Sequence, residues 1–246
     1  MRIWDSELLA AEKADVVRDG LLSWVDFQDS INVTGTISRG AITGTITDRV
    51  TGYDLTIKAD KNGSSYDNKI WFEQVNGFLV LHPTNTTAYG KIIAPSAEIS
   101  GCKAIEVVYN CAGANNRGNA EEFAVGAYTQ GVVYNLTSTA NKLYAFSGAF
   151  NTTNNLIGAA NPVHVYAQIG SSNRGSVYLN GTQVGNTVSA GKSSFSVTKL
   201  MMVSLKGTTE TQSFRIGSIR LYNRVLTQDE LRQNIQYEVK KGRLTL

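Results

Sequence analysis

Gly217-Ser218-Ile219-Arg220-Leu221-Tyr222-Asn223-Arg224-Val225-Leu226-Thr227-Gln228-Asp229-Glu230-Leu231 joins a strand directly to a helix. Ile219 and Leu221 alternate with Arg220 and Tyr222, the period of a strand with one buried face. Thr227-Gln228-Asp229-Glu230 then fits a capping box, the Thr hydroxyl accepting from the Glu230 N–H and the Glu carboxylate reaching back to the Thr227 N–H. Leu226 and Leu231 are placed to close a hydrophobic staple across that cap. Leu231, Ile235 and Val239 recur at four-residue spacing, Lys240 and Lys241 stand at the negative end of the dipole, and Gly242 suits a left-handed C′ position.

This ending resembles the C-terminal signature of laminin G-like domains in the concanavalin A-like lectin/glucanase superfamily, a strand reading G-x-I-x-x-x-R-x-Y-N-R-x-L-T/S before a D/E-E-L/I helix. Val163-His164-Val165-Tyr166-Ala167-Gln168-Ile169 and Ser176-Val177-Tyr178-Leu179-Asn180-Gly181-Thr182-Gln183-Val184-Gly185 are similar to that family's paired strands around a Y-x-N-G-x-x-V-G hairpin. Asp19-Gly20-Leu21-Leu22-Ser23-Trp24-Val25-Asp26-Phe27 is similar to its opening strand. The resemblance covers about residues 160–235 and 19–30. With this ending the chain resembles the stand-alone type found in bacteriophages and gut bacteria.

Composition points the same way. Gly, Asn, Thr, Ser, Val and Tyr are abundant, Pro occurs three times, and charged residues are 17% of 246. That length suits one sandwich of about twelve strands with a sizeable core. Turn signals place strands near residues 21–27, 53–58, 69–73, 77–82, 103–109, 122–128, 131–137, 142–147, 163–169, 176–180, 183–188, 198–205 and 213–223. No interior run predicts a long helix, which argues against a βαβ fold. The reading is an all-β, antiparallel β-sandwich, a jelly roll of the concanavalin A-like kind by the resemblance, with short N- and C-terminal helices. Residues 1–19 form an N-terminal helical arm and residues 20–246 the sandwich that ends in a helix. In the arm, Ser6 would cap, and Leu8, Leu9, Val16 and Val17 would supply apolar contacts, either to the sandwich or to a neighbouring subunit.

A net charge of +3 spread along the chain gives no basic track for nucleic acid. No apolar run approaches the roughly 18 residues of a membrane span. Asp5, Glu7, Glu12, Asp15 and Asp19 interrupt what would have to be the apolar region of a secretion signal. Cys102 and Cys111 flank one strand, and an extended segment of that length, at about 3.3 Å per residue, holds them beyond bridging distance. They read as two buried or half-buried thiols, and with His82 and His164 they show no zinc spacing. Asn-x-Ser/Thr triplets at Asn32, Asn62, Asn85, Asn135, Asn151 and Asn180 read as turn chemistry.

Glucanases of the superfamily carry E-x-D-x-x-E, because retaining hydrolysis sets two carboxyls about 5–5.5 Å apart on one face. Here Glu121 and Glu122 fall on opposite faces, Glu106 stands alone, His164 alternates with Val163 and Val165 on an outer face, and His82 precedes Pro83 at a strand end. Both histidines read as surface or turn residues, no catalytic residue is nominated, and the expectation is a protein that is not an enzyme.

Sugar recognition requires an aromatic ring for the apolar face of a pyranose and Asn, Asp or Arg for its hydroxyls. The chain has 11 Tyr, and suitable mixtures occur at Tyr66-Asp67-Asn68, Thr84-Asn85-Thr86-Thr87-Ala88-Tyr89 and Asn115-Asn116-Arg117-Gly118-Asn119. Trp71, Tyr89, Asn115, Asn116 and Arg117 are the candidate ligand-binding residues. No cofactor is expected; calcium is common among the relatives, but Asp48, Asp54, Asp60 and Asp67 are too dispersed to nominate a site. The expected partners are a glycan or neighbouring virion proteins, with a homo-oligomer also allowed. The expected setting is a virion, as a capsid decoration or tail-associated protein, the alternative being a carbohydrate-binding module on a bacterial cell surface or outside the cell.

Overall fold

Val163, Val165, Ala167 and Ile169 are buried in one apolar cluster, whereas Tyr166, between them, belongs to a second cluster on the opposite face. That alternation is the organising feature of the molecule: its principal sheet is covered on both sides. The computed structural model describes residues 15–29, 31–33, 44–59, 70–75, 77–83, 89–112, 122–124, 134–136, 142–146, 148–151, 161–198, 200–205 and 213–245.

In chain order the strands begin with β1 (Leu21–Asp26), β2 (Ile31–Val33), β3 (Gly44–Thr47), β4 (Asp54–Ala59), β5 (Ile70–Val75), β6 (Phe78–Pro83) and β7 (Tyr89–Ala94). They continue with β8 (Ile99–Cys102), β9 (Ala104–Ala112), β10 (Glu122–Ala124), β11 (Tyr134–Leu136), β12 (Lys142–Ala145) and β13 (Gly148–Asn151). The last are β14 (Val163–Ile169), β15 (Arg174–Leu179), β16 (Thr182–Ser189), β17 (Phe195–Val197), β18 (Met201–Leu205) and β19 (Ser213–Tyr222), followed by helix α1 (Gln228–Lys240).

All the pairings are antiparallel. The principal sheet runs β16-β15-β14-β9-β19-β6-β5, with β1 also paired to β19, and the second runs β13-β12-β11-β10-β18-β7-β4-β3-β2. Ile105, Val107, Ile219 and Leu221 from the first meet Ile46 and Leu55 from the second in the main core, the antiparallel sandwich expected from the sequence. The short β17–β8 pair brings Phe195, Val197 and Cys102 into the same core. Burial pushes the Cys102 thiol up to about 12, so it behaves as a small apolar filler.

Two turns fix the geometry that follows. At the β15–β16 hairpin, Asn180 and Gly181 take φ of 48° and 81°, as a type I′ turn requires. The Asn180 side chain accepts from the His164 N–H at 2.9 Å, tying that turn to the start of β14. At Gly217 the partner of β19 changes from β6 to β1, with a register shift against β9. A Cβ there would lie 2.7 Å from Arg243 Cδ, so glycine is needed for the close approach of that side chain.

The outer face of the principal sheet is covered by α1. Its start is the capping box read from the sequence: Glu230 N–H donates to Thr227 Oγ1 at 3.2 Å and Thr227 N–H to Glu230 Oε2 at 2.8 Å. Arg224 grips the same carboxylate with both guanidinium nitrogens, at 2.9 and 2.6 Å, and this contact first, against a little burial, holds Glu230 down at about 2. The helix ends in a Schellman turn, Arg243 N–H donating to Glu238 O and Gly242 N–H to Val239 O, with Gly242 at φ 73°. That reversal sends Arg243 back beneath the helix and Leu244 into its apolar contact with Leu231 and Ile235.

Residues 1–14 of the expected helical arm lie outside the described residues. Asp15 to Arg18 are not helical, and Val16 and Val17 reach the apolar clusters beside α1 from irregular chain. The Val17 N–H donates to Asn234 Oδ1 at 2.8 Å, and Tyr222 donates its hydroxyl to the Val17 carbonyl at 3.2 Å.

Candidate functional site

Strand register builds a polar seam on the outer face. Tyr166 pairs with Glu106, Glu106 with Arg220 and Arg220 with Trp24, one row across β14, β9, β19 and β1. The next row is His164, Val108, Ser218 and Asp26. Helix α1 faces these rows with Leu231, Asn234, Ile235 and Glu238, a stripe at i, i+3, i+4 and i+7 whose apolar members are flanked by one amide and one carboxylate.

Glu106 is the hub on the sheet side. Its Oε1 lies 3.0 Å from His164 Nε2, and its Oε2 accepts from Asn234 Nδ2 at 2.7 Å and from Arg220 at 3.5 Å. Glu238 is the hub on the helix side, accepting from Arg220, from the Ser218 hydroxyl at 2.9 Å and from Arg243 Nε at 2.6 Å. Arg243 then holds both oxygens of Asp26, at 2.7 and 3.0 Å, and the Gly217 carbonyl at 3.0 Å. Tyr237 donates its hydroxyl to Asp26 at 2.9 Å.

Burial opposes ionisation of Asp26, but the hydrogen bonds and charge of Arg243, aided by Tyr237, outweigh it and hold the carboxyl down at about 2. Burial likewise opposes the charge on Glu238, and Arg220 and Arg243 overcome it to lower its pKa. Tyr166, Tyr222 and Tyr237 are all pushed up, first by burial, so their hydroxyls stay protonated; Tyr222 and Tyr237 donate, while the Tyr166 hydroxyl accepts from the Leu226 N–H at 2.8 Å.

Two expectations are corrected here. His164 is not on the surface: it is 0% exposed, because the face that the alternation reserves for polar side chains lies beneath α1 rather than against water. Glu106 does not stand alone, since it binds partners from β14, β19 and α1. Glu106, Arg220 and Glu238 are each 0% exposed and Arg243 1%, so no solute reaches these groups while the helix is seated. The seam therefore ties the helix to the sheet through buried, paired charge.

The ligand-binding residues named from the sequence are not brought together by anything described. Trp71 is on β5 and Tyr89 on β7, in different sheets, with side chains outside the described residues; Asn115, Asn116 and Arg117 lie outside them altogether. Among the described residues, no group of three or more His, Cys, Asp or Glu is placed to hold a metal ion, and no helix is long and apolar enough to cross a membrane.

No protein-family model matches the chain, and no curated protein matches it. Solved structures do. A Trypanosoma rangeli sialidase in complex with sialic acid superposes with a TM-score of 0.56 at 13% identity, over 97% of this chain and 38% of that one. The binding domain of Paraclostridial Mosquitocidal Protein 1 gives 0.55 at 11%, over 88% of this chain and 52% of that one. The Botulinum neurotoxin serotype D binding domain gives 0.53 at 10%, over 90% and 51%. The chain thus spans 38% of the sialidase and about half of each toxin domain. These likenesses show the fold, a β-rich, lectin-like sandwich.

The expectation that the chain is not an enzyme is overturned by the sialidases among these structures. It rested on the missing pair of carboxylates, which is the requirement of one hydrolytic chemistry. Sialidases cleave glycosides with a tyrosine nucleophile, so the absence of E-x-D-x-x-E is no test for chemistry of that kind.

Proposed function

We propose that this chain is a lectin-like sandwich that binds glycans. The observation that carries the reading is the match over nearly the whole chain to a sialidase solved with sialic acid, joined by two toxin binding domains. A rigid sandwich whose loops offer aromatic rings beside amides and carboxylates supplies the stacking and hydrogen bonds that a pyranose requires. Trp71, Tyr89, Asn115, Asn116 and Arg117 remain the contacts proposed from the sequence. The signature at residues 217–231 supports a laminin G-like domain, and a virion surface is the setting favoured by the resemblance to stand-alone phage chains. Neighbouring virion proteins or further copies of the chain would then be its other partners.

A glycan array probed with the purified chain tests the reading. Saturable binding to a defined set of saccharides, weakened by Trp71→Ala or Tyr89→Ala, is the expected result. A blank array at high micromolar protein would overturn it.

A further inference from the structure

Val50 at 42% and Tyr53 at 65% exposure are the large hydrophobic side chains exposed among the described residues, and both stand on the turn between β3 and β4. The turn is held firmly. Asp48 is buried at 2% and accepts from the Val50 and Thr51 N–H groups at 2.8 and 3.1 Å, while Ser23 donates its hydroxyl to the other carboxylate oxygen. Gly52 N–H reaches the Asp48 carbonyl at 2.8 Å, and Asp48 N–H the Tyr53 carbonyl at 2.9 Å. Arg49 N–H donates to the Trp24 carbonyl at 2.8 Å, and the Arg49 guanidinium lies 4.0 Å from the centre of the Trp24 ring. The turn is thereby fastened to the row that contains Arg220.

A ring left in water on a backbone this constrained has little conformational entropy to lose when something stacks on it. Space is open beside it: a Cβ on Gly52 would meet nothing within 4 Å. Polar groups stand on the same turn. The Thr51 hydroxyl accepts from the Tyr53 N–H at 3.3 Å, and the exposed Asp54 carboxylate accepts from the neutral Thr47 hydroxyl at 2.8 Å, leaving its charge turned to solvent.

We infer that the Asp48–Asp54 turn is a stacking site for an uncharged saccharide, with Tyr53 as the platform and Val50, Thr51 and Asp54 around it. The inference rests on the glycan-binding reading and names its site. Among the described residues the exposed apolar surface here is one tyrosine and one valine, small beside the roughly 800 Å² that each partner gives to a stable protein interface. They match one sugar ring, whose C–H face stacks on the aromatic and whose hydroxyls reach a carboxylate and a hydroxyl. The charge chooses the class. Arg49, the cation of the turn, is engaged by Asp29 at 3.0 Å, whereas Asp54 faces water, so an anionic sugar is repelled and a neutral one accepts both groups.

The test is a glycan array bearing glucose-, galactose- and N-acetylglucosamine-terminated oligosaccharides beside sialylated ones, probed with the native chain, Tyr53→Ala and Tyr53→Phe. Binding of the native chain to neutral spots, weakened about tenfold by Tyr53→Ala and less than about threefold by Tyr53→Phe, supports the site. An exposed side chain leaves the thermal midpoint nearly unchanged, so a folded Tyr53→Ala is expected. Equal binding by Tyr53→Ala and the native chain overturns this site and leaves the glycan-binding reading standing. Preference for sialylated spots overturns the assignment to neutral sugars. A native chain that binds no spot overturns the reading and the site together.

Discussion

Replacing Arg243 with Met removes the guanidinium that joins two buried carboxylates, leaving Glu238 to Arg220 and Ser218 and Asp26 to its remaining partners, Tyr237 among them. The side chain donates to Glu238 at 2.6 Å, to both Asp26 oxygens at 2.7 and 3.0 Å, and to the Gly217 carbonyl at 3.0 Å, all within the buried seam. Removing one partner of a buried ion pair costs about 3–5 kcal/mol, because the charge left behind is poorly solvated and loses its strongest partner. For a domain of this size each kcal/mol moves the thermal midpoint by roughly 2–4 °C, so a fall of about 6–20 °C is expected. The pH dependence sharpens the test. Asp26 in the folded chain is held down at about 2 against an ordinary value of 3.8, so its contribution is present above about pH 4 and is lost as pH falls towards 2. That contribution is on the order of 2 kcal/mol. Without Arg243 the main depressing influence is gone, and the gap between native and variant midpoints narrows on acidification from pH 5 to pH 2. Circular dichroism melts of both proteins across that range measure it. A midpoint within about 2 °C of the native value at pH 7, or a gap that does not change with pH, would refute the seam as the fastening of the helix.

Three further outcomes follow from single contacts. Thr227→Ala should remove the cap at the start of α1 and lower stability by about 1 kcal/mol, seen as a midpoint lower by roughly 2–4 °C; an unchanged melt would mean that Arg224 and Glu230 hold the helix start without it. Gly217→Ala should destabilise by more than an ordinary glycine substitution, because the new Cβ meets Arg243 Cδ at 2.7 Å, and chemical denaturation gives the size; a neutral effect would show that the Arg243 path has slack. Cys102, buried with its thiol raised to about 12, should resist iodoacetamide at pH 8 in the native chain and react in urea, as read by peptide mass spectrometry; labelling of the native protein would contradict its place in the core.

Much of this architecture was legible in residue order. The period-two alternation at Val163–Ile169 and Ile219–Leu221 put the apolar residues in the core, and Thr227, Glu230 and Gly242 took the capping positions their chemistry demands. Alternation distinguishes two faces but does not say that the second is wet, and for that reason His164 and Glu106 were misread. The signal that would have found the seam is complementarity between the polar face, Glu106, His164 and Arg220, and the polar members of the helix stripe, Asn234 and Glu238. Each set looks solvent-facing until the helix is folded over the sheet. The short strands β2, β3, β7, β8, β13 and β17 were not anticipated, because three to six residues are too few for a clear period. Tyr53 was read only as the start of a strand; its exposure depends on Asp48 closing the preceding turn, a contact that spacing alone does not reveal.

The most direct test of glycan binding is a two-dimensional amide NMR titration of the native chain with a neutral oligosaccharide. At about −0.3 kcal/mol per non-hydrogen atom, a single sugar ring of a dozen or so atoms binds with a dissociation constant of roughly millimolar order, which this method follows readily. The expected result is a set of shifts that saturates and maps to exposed loops, residues 48–54 among them, while Glu106, Arg220 and Glu238 in the buried seam do not move. Shifts that grow linearly without saturation, or none at tens of millimolar sugar, would contradict it.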